Sequence, residues 1–331
     1  MKKPKNMNTL SEKTKKSLKV RVIAALVATL IILPGIFLGD WVFFGTIGIA
    51  TFIAFFELVD CGKRQYSVWL YIVTILIGFL LVYWPIFRAL LTGGFDNGSW
   101  HVYRHYTSIY LSILVLFVGA VLLFFLVILN SDFTVRDACY IFTMSVIVAL
   151  GLQGMHFVRY IPLANDTSAE YNLVNSIKSS TFLIYGLLGT FFTDIGAYFV
   201  GVFFGKHKIN ERISPNKTVE GFVGGIVVST IVSMSFAFIM AACKLPILAG
   251  IFDIEHWWNI VSLSLLMPFM ATLGDFVFSS VKRYYEIKDF GNVIPGHGGI
   301  LDRLDSLLFV FSTMSIYTCI VMQAGKGFMF I

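Results

Sequence analysis

The sequence predicts an all-α, polytopic integral membrane bundle of about nine transmembrane helices with a cytoplasmic N-terminus. Three observations carry this expectation. Of 331 residues, 57% are hydrophobic and 13% charged, with mean hydropathy +0.81, whereas ordinary soluble domains carry about 25% charged residues. The apolar residues gather in continuous runs of roughly 18–25, the length needed to cross about 30 Å of hydrocarbon as helix. These runs do not alternate, which excludes a membrane β-barrel. Finally, Lys and Arg are distributed unevenly between the connecting segments, and cytoplasmic loops accumulate them.

The runs fall near 20–38, 41–59, 68–91, 109–130, 138–158, 180–204, 219–243, 257–281 and 301–323. The first follows a lysine-rich start, but it is longer than a signal-peptide core. No small-x-small cleavage site follows Leu38-Gly39-Asp40, so a retained helix is expected. With the N-terminus inside, six of the 25 Lys and Arg residues fall outside (Arg88, Arg104, Arg159, Lys178, Lys244, Lys326) and nineteen inside. The net charge of +6 is then mostly a topology signal, with no soluble basic domain to bind nucleic acid. Residues 1–19 read as a basic cytoplasmic tail suited to anionic lipid. Cys61, Cys139, Cys243 and Cys319 lack metal or disulfide spacing and read as buried structural thiols.

The chain divides by chemistry. Residues 20–178 hold helices one to five and are almost purely apolar, with Glu57, near the cytoplasmic end of the second span, the main exception. Glu57 reads as a capping or pairing residue. The outer segments 92–108 and 159–179 read as solvated connections, and His101 and His105 alone do not suggest a metal. Residues 179–331 form the second region, with helices six to nine and cytoplasmic loops 205–218 and 282–300. There Asp194, Glu220, Asp275, Asp302 and Asp305 lie in or at the ends of apolar spans, all in the cytoplasmic half. Ionisable groups at that depth are costly and usually functional.

The densest chemistry is residues 279–305, SSVKRYYEIKDFGNVIPGHGGILDRLD. Asp275, Ser279 and Lys282, spaced four and three apart, share one helix face, as do Asp302 and Asp305. The glycine-rich turn Pro295 to Gly299 can approach a ligand closely, and a turn of this kind leading into a helix suits an anion. Cations and backbone N–H groups hold phosphate oxygens, while carboxylates hold a hard divalent ion. A second constellation runs from Asp194, Tyr198, Gly201 and Gly205 through Lys206-His207-Lys208 to Ser214-Pro215-Asn216-Lys217-Thr218 and Glu220-Gly221. Its small residues read either as a packing seam or as part of a site.

The first string resembles the signature of the phosphatidate cytidylyltransferases (CDP-diacylglycerol synthases): Ser, Lys-Arg, Lys-Asp, His-Gly-Gly, then Asp-Arg-x-Asp. The second is similar to another conserved region of that family, where Ser-Pro-Lys-Lys-Thr is usual and this chain has Asn216 at the first Lys. The resemblance implies transfer of CMP from CTP to phosphatidic acid, releasing pyrophosphate. It implies Mg²⁺, accompanied by a monovalent cation such as K⁺, on Asp275, Asp302 and Asp305. Lys217, Lys282, Arg283, Lys288 and Arg303 would be the catalytic cations, and the catalytic residue His297 would either contact phosphate or orient the turn. Ser214, Pro215, Asn216, Thr218, Gly298, Gly299 and Asp194 would bind or support substrate. The compact chain favours a bacterial inner membrane over an organellar one, the topology turns the site to the cytoplasm, and a homodimer is compatible with both. Two alternatives are a CTP-dependent lipid kinase of the polyprenol or phytol type and a cation or proton transporter. The full string argues against the kinase. The transporter would need carboxylates in the outer halves of spans six to nine, where there are none.

Overall fold

The structure, a computed structural model, describes residues 26–27, 29–62, 66–84, 87, 109–165, 173–296 and 298–324. Nine helices lie among them, one at each predicted run. They are α1 Thr29–Leu38, α2 Asp40–Asp60, α3 Val68–Val82, α4 Ile109–Leu129, α5 Val135–Asn165, α6 Leu173–Phe204, α7 Val219–Ala242, α8 Trp257–Tyr284 and α9 Leu301–Ala324. Six of them (α2 and α5 to α9) are long and apolar enough to cross a membrane; α1, α3 and the Leu114–Leu129 part of α4 are shorter apolar helices. Large side chains such as Phe199, Phe203, Val223 and Ile231 point outward and are more than half exposed. Helices that are apolar all round belong in hydrocarbon. The basic tail 1–19, the segment 92–108 and His297 lie outside the described residues.

The chain departs from a purely helical plan at residues 205–218, expected as a loop. There β1 (Lys208–Asn210) pairs antiparallel with β2 (Ser214–Thr218). The Asn210 side-chain oxygen closes the connection by accepting the N–H groups of Arg212 (3.1 Å) and Ile213 (3.3 Å). This is the local hydrogen bonding that makes Asn a turn residue.

Small residues set the helix spacing around the second region. Gly196, Ala197 and Gly201 of α6 face Gly221 and Gly225 of α7, and a Cβ on Gly225 would lie 2.8 Å from the Thr193 carbonyl oxygen. The packing-seam reading therefore holds for Gly201, whereas Tyr198 points outward and is 67% exposed. Helix α9 is wedged between α8 and α5. A Cβ on Gly274 of α8 would meet the Asp305 carbonyl oxygen at 2.6 Å, and one on Gly154 of α5 would meet that of Phe311 at 2.5 Å. The acidic first turn of α9 is thus pressed against α8 because position 274 has no side chain.

Two expectations are corrected. The described parts of the segment 159–179 are not a solvated connection, because α5 continues to Asn165, α6 begins at Leu173, and Arg159 and Tyr160 are fully buried. Burial is sustained because Arg159 finds partners. Its Nε donates to the Ile36 carbonyl (3.0 Å), a second donor reaches Ser179 Oγ, and the guanidinium lies 5.5 Å from the Tyr160 ring centroid. The four cysteines are free, but only Cys61 is buried; Cys139 and Cys243 are exposed and Cys319 is intermediate. Cysteine behaves as a small hydrophobe, and an apolar outer surface accommodates it as well as a core does.

The wedge generates a test. Gly154→Val should force α9 off α5, at the cost of about 1–3 kcal/mol typical of overpacking. The measurement is the thermal midpoint of the detergent-purified protein, followed by size exclusion, and a lower midpoint is expected.

Candidate active site

The site is assembled where the C-terminal end of α8, the β-hairpin and the first turn of α9 meet. Asp275 and Ser279, one helical turn apart on α8, face each other as their spacing predicts, with Ser279 Oγ donating to Asp275 Oδ1 at 3.1 Å. Strand β2 delivers Lys217 to the other oxygen of Asp275 as an ion pair, with both side chains about a quarter exposed. One turn beyond Ser279, Lys282 donates to Asp302 Oδ1 at 2.9 Å, and here the side chains are only 14% and 4% exposed. Lys217 also lies over Phe276 (4.5 Å) and Lys282 over Phe290 (5.6 Å). Arg283 Nε donates to the Ile213 carbonyl at 3.1 Å, fastening the hairpin to the end of α8.

The signature loop folds back on Asp302. Ile294 donates its N–H to the Gly298 carbonyl at 2.9 Å, and Gly296 and Gly298 take φ of 76° and 87°. Those angles lie in the left-handed region that glycine enters without steric cost. Asp302 Oδ2 accepts the N–H groups of Phe290 (2.8 Å) and Gly299 (3.0 Å), so one carboxylate holds the start and the end of the turn. Behind it, Glu57 reaches across from α2. Its two oxygens accept the N–H groups of Ile300 and Leu301, each at 3.0 Å. These are donors that a helix N-terminus leaves unmatched. The expected capping role of Glu57 is what the structure presents, on a helix 243 residues further along the chain.

Asp305 accepts the N–H of its neighbour Ser306 at 2.7 Å and makes no ion pair among the described residues. Asp194, Asp275 and Asp305 lie within electrostatic reach of one another, with Lys217 and Lys282 in the same field. Glu220 is turned elsewhere. It accepts the N–H groups of Lys206 (3.0 Å) and His207 (3.2 Å) and pairs with His207 Nδ1 (2.6 Å), anchoring the entry to the hairpin. Thr218 caps α7 by accepting the Gly221 N–H at 3.1 Å. Ser214 is half-buried, and Pro215, Asn216, Lys288 and Arg303 are exposed. Spacing alone could not have linked Glu57 to the loop; its one signal was a carboxylate in an otherwise apolar span.

Among the described residues, no three His, Cys, Asp or Glu side chains form a ready metal-binding group. Asp275 and Asp302 are each engaged by a lysine. The donor chemistry nevertheless fits a hard divalent cation, because three carboxylates crowd one region and Asp305 holds no cation of its own.

A profile of the Cytidylyltransferase family matches residues 19–321, nearly the whole chain. The chain belongs to this family. Among its relatives within the cytidylyltransferases, the phosphatidate cytidylyltransferase of Bacillus subtilis is 37% identical over 195 residues, 59% of this chain and 63% of that protein. That match stops short of two thirds of the Bacillus protein. The phosphatidate cytidylyltransferase of Staphylococcus saprophyticus is 29% identical over 299 residues, 90% of this chain and 98% of its own length. Its namesake from Staphylococcus aureus strain COL is 39% identical over 135 residues, 41% of this chain and 48% of that protein.

The two ion pairs of this cytidylyltransferase differ in what their loss should do. Asp302→Asn leaves a nearly buried lysine without a counter-charge and weakens two backbone contacts, which should cost about 2–3 kcal/mol. Asp275→Asn sits in a more open pair and should cost less, about 0–1 kcal/mol. Thermal midpoints of the two variants in one detergent check the order.

Proposed function

We propose that this protein is a phosphatidate cytidylyltransferase, which transfers CMP from CTP to phosphatidic acid and yields CDP-diacylglycerol and pyrophosphate. The observation that carries the reading is the union of Lys217 with Asp275 and of Lys282 with Asp302. Three segments of the chain thereby bring two ammonium groups and an acidic cluster to the end of one apolar bundle. A soluble polyanion and a lipid phosphate can meet only at such an end. The family match and the named relatives point the same way.

In this reaction a phosphatidate oxygen forms a bond to the α-phosphorus of CTP while the bond from that phosphorus to the bridging oxygen breaks, and pyrophosphate leaves. The attacking phosphomonoester has a second pKa near 6 and is largely ionised at neutral pH, so no protein base is needed. Catalysis rests on positioning and charge neutralisation. Lys217 and Lys282 are the cations already held at the acidic cluster, and both can turn from carboxylate to phosphate oxygens. Arg283, Lys288 and Arg303 supply further positive charge from the same loop and helix start, and His297 of that loop either contacts phosphate or orients the turn. Ser214, Pro215, Asn216 and Thr218, with Gly298 and Gly299 of the turn, form the lining against the nucleotide. Asp275 and Asp305 would hold Mg²⁺, with Asp302 joining on release of Lys282, Asp194 as support and K⁺ as a monovalent companion. When bound, the divalent ion supplies charge neutralisation at the triphosphate and at the leaving pyrophosphate.

The finer topology belongs to the same proposal. The nine helices act as nine spans with the N-terminus and the loops 205–218 and 282–300 in the cytoplasm, in a bacterial inner membrane. Support comes from the Lys and Arg asymmetry and from the chemistry, since CTP is a cytoplasmic substrate.

Two experiments test the proposal. Purified protein with labelled CTP, phosphatidic acid and Mg²⁺ should form lipid-linked CMP, and chelation should stop it reversibly. Asp275→Asn should lower kcat/KM about 100-fold, the scale of losing one electrostatic stabiliser. Release of CDP with a phosphorylated lipid would replace the reading with a lipid kinase. For topology, single cysteines at Asn210 and Asn292, in a background without the native four, should react with an impermeant thiol reagent only from the cytoplasmic side. One at Asn97 should react only from outside. Outside labelling at position 292 would overturn the orientation.

A further inference from the structure

We infer that Glu57 is a positioning residue for the reaction: without touching substrate, it clamps the signature loop and sets where the carboxylates of α9 stand. The inference rests on the proposed activity for its kinetic arm only. Three observations converge on it. Glu57 is 2% exposed, and both its oxygens are spent on consecutive backbone N–H groups, those of Ile300 and Leu301, immediately before Asp302. The loop is also shaped around that carboxylate, because a Cβ on Gly291 or on Gly299 would run into the Glu57 carboxyl atoms. The two glycines thus admit Glu57 from both sides of the turn. Lastly, Asp302 grips the same segment from the opposite side through the N–H groups of Phe290 and Gly299.

The consequence is a loop held between two carboxylates. Four of its N–H groups, at 290, 299, 300 and 301, point into one or the other. Asp302 is expected to leave Lys282 when phosphate and cation bind, and its grip then loosens. Glu57 is buried beneath the turn, so its grip persists and the loop keeps its place while Asp302 changes partners. A carboxylate suits this task better than an amide. Two N–H donors face it, and glutamine offers one acceptor while setting an NH₂ against the other donor.

The test is Glu57→Gln in the full-length detergent-purified protein, read in two ways. Hydrogen exchange of the peptide covering 290–301 should accelerate at least tenfold, as expected when local protection is lost, with peptides of α7 unchanged. Activity should fall by about 10–100-fold in kcat, with a higher Mg²⁺ half-saturation, the scale reported for residues that orient metal ligands. KM for phosphatidate should stay within about twofold, because uniform binding is untouched. Unchanged exchange in 290–301, or unaltered kcat and Mg²⁺ dependence, would overturn the inference. If Glu57→Gln cannot be purified folded, Gly299→Ala, whose methyl meets the same carboxylate, must show the same loop-confined acceleration. Wild-type exchange in that variant would overturn the inference equally. The exchange arm does not depend on which reaction the protein runs. Accelerated exchange in a protein that forms no lipid-linked CMP would therefore overturn the proposed activity and leave the clamp standing.

Discussion

A charge set in apolar surroundings must find an opposite charge or a set of hydrogen-bond donors, and the second half of this protein is organised by that requirement. Coulomb attraction grows as the surroundings dry out, from about 1 kcal/mol at 4 Å in water to about 4 kcal/mol near a protein surface. Asp275 is met by Lys217 and Ser279, Asp302 by Lys282 and two N–H groups, Glu57 by two N–H groups, and Glu220 by two N–H groups and His207. Each of these matches joins segments that packing alone would leave loosely related. The hairpin is fixed to α8, and the signature loop is fixed to α9 on one side and to α2 on the other. Chemistry that works by placing two phosphates in line depends on such fixity.

Glycine makes the matches reachable. Without a side chain at 274, the first turn of α9 comes close enough for Asp275 and Asp305 to share a field. Without side chains at 291 and 299, the turn can close over Glu57. These glycines belong to the site as much as the charged residues do, although none of their atoms takes part in an ion pair.

The sequence was legible where one physical rule acts on neighbouring residues. Hydrocarbon demands continuous apolar runs, so the nine helices among the described residues could be located, and helical periodicity anticipated that Ser279 would face Asp275. It was less legible where a contact spans a long stretch of chain. Nothing local ties Lys217 to Asp275, 58 residues away, or Glu57 to Ile300. Arg159 misled because a lone arginine beside polar residues looks like a loop, whereas its partners come from the carbonyl of Ile36 and from Ser179. The hairpin was hidden by its brevity, since three residues of β1 carry no readable alternation.

The long reach of Glu57 also bears on how the protein is made. Its partners are encoded 243 and 244 residues later. At the usual 5–20 residues per second of synthesis, the carboxylate enters the nascent bundle roughly 10–50 s before Ile300 and Leu301 exist. For that interval Glu57 needs provisional company: water at the membrane edge, a bound proton, or the insertion machinery. Helix α9 then relieves α2, and the signature loop takes its final form only when these two distant stretches of the chain have met.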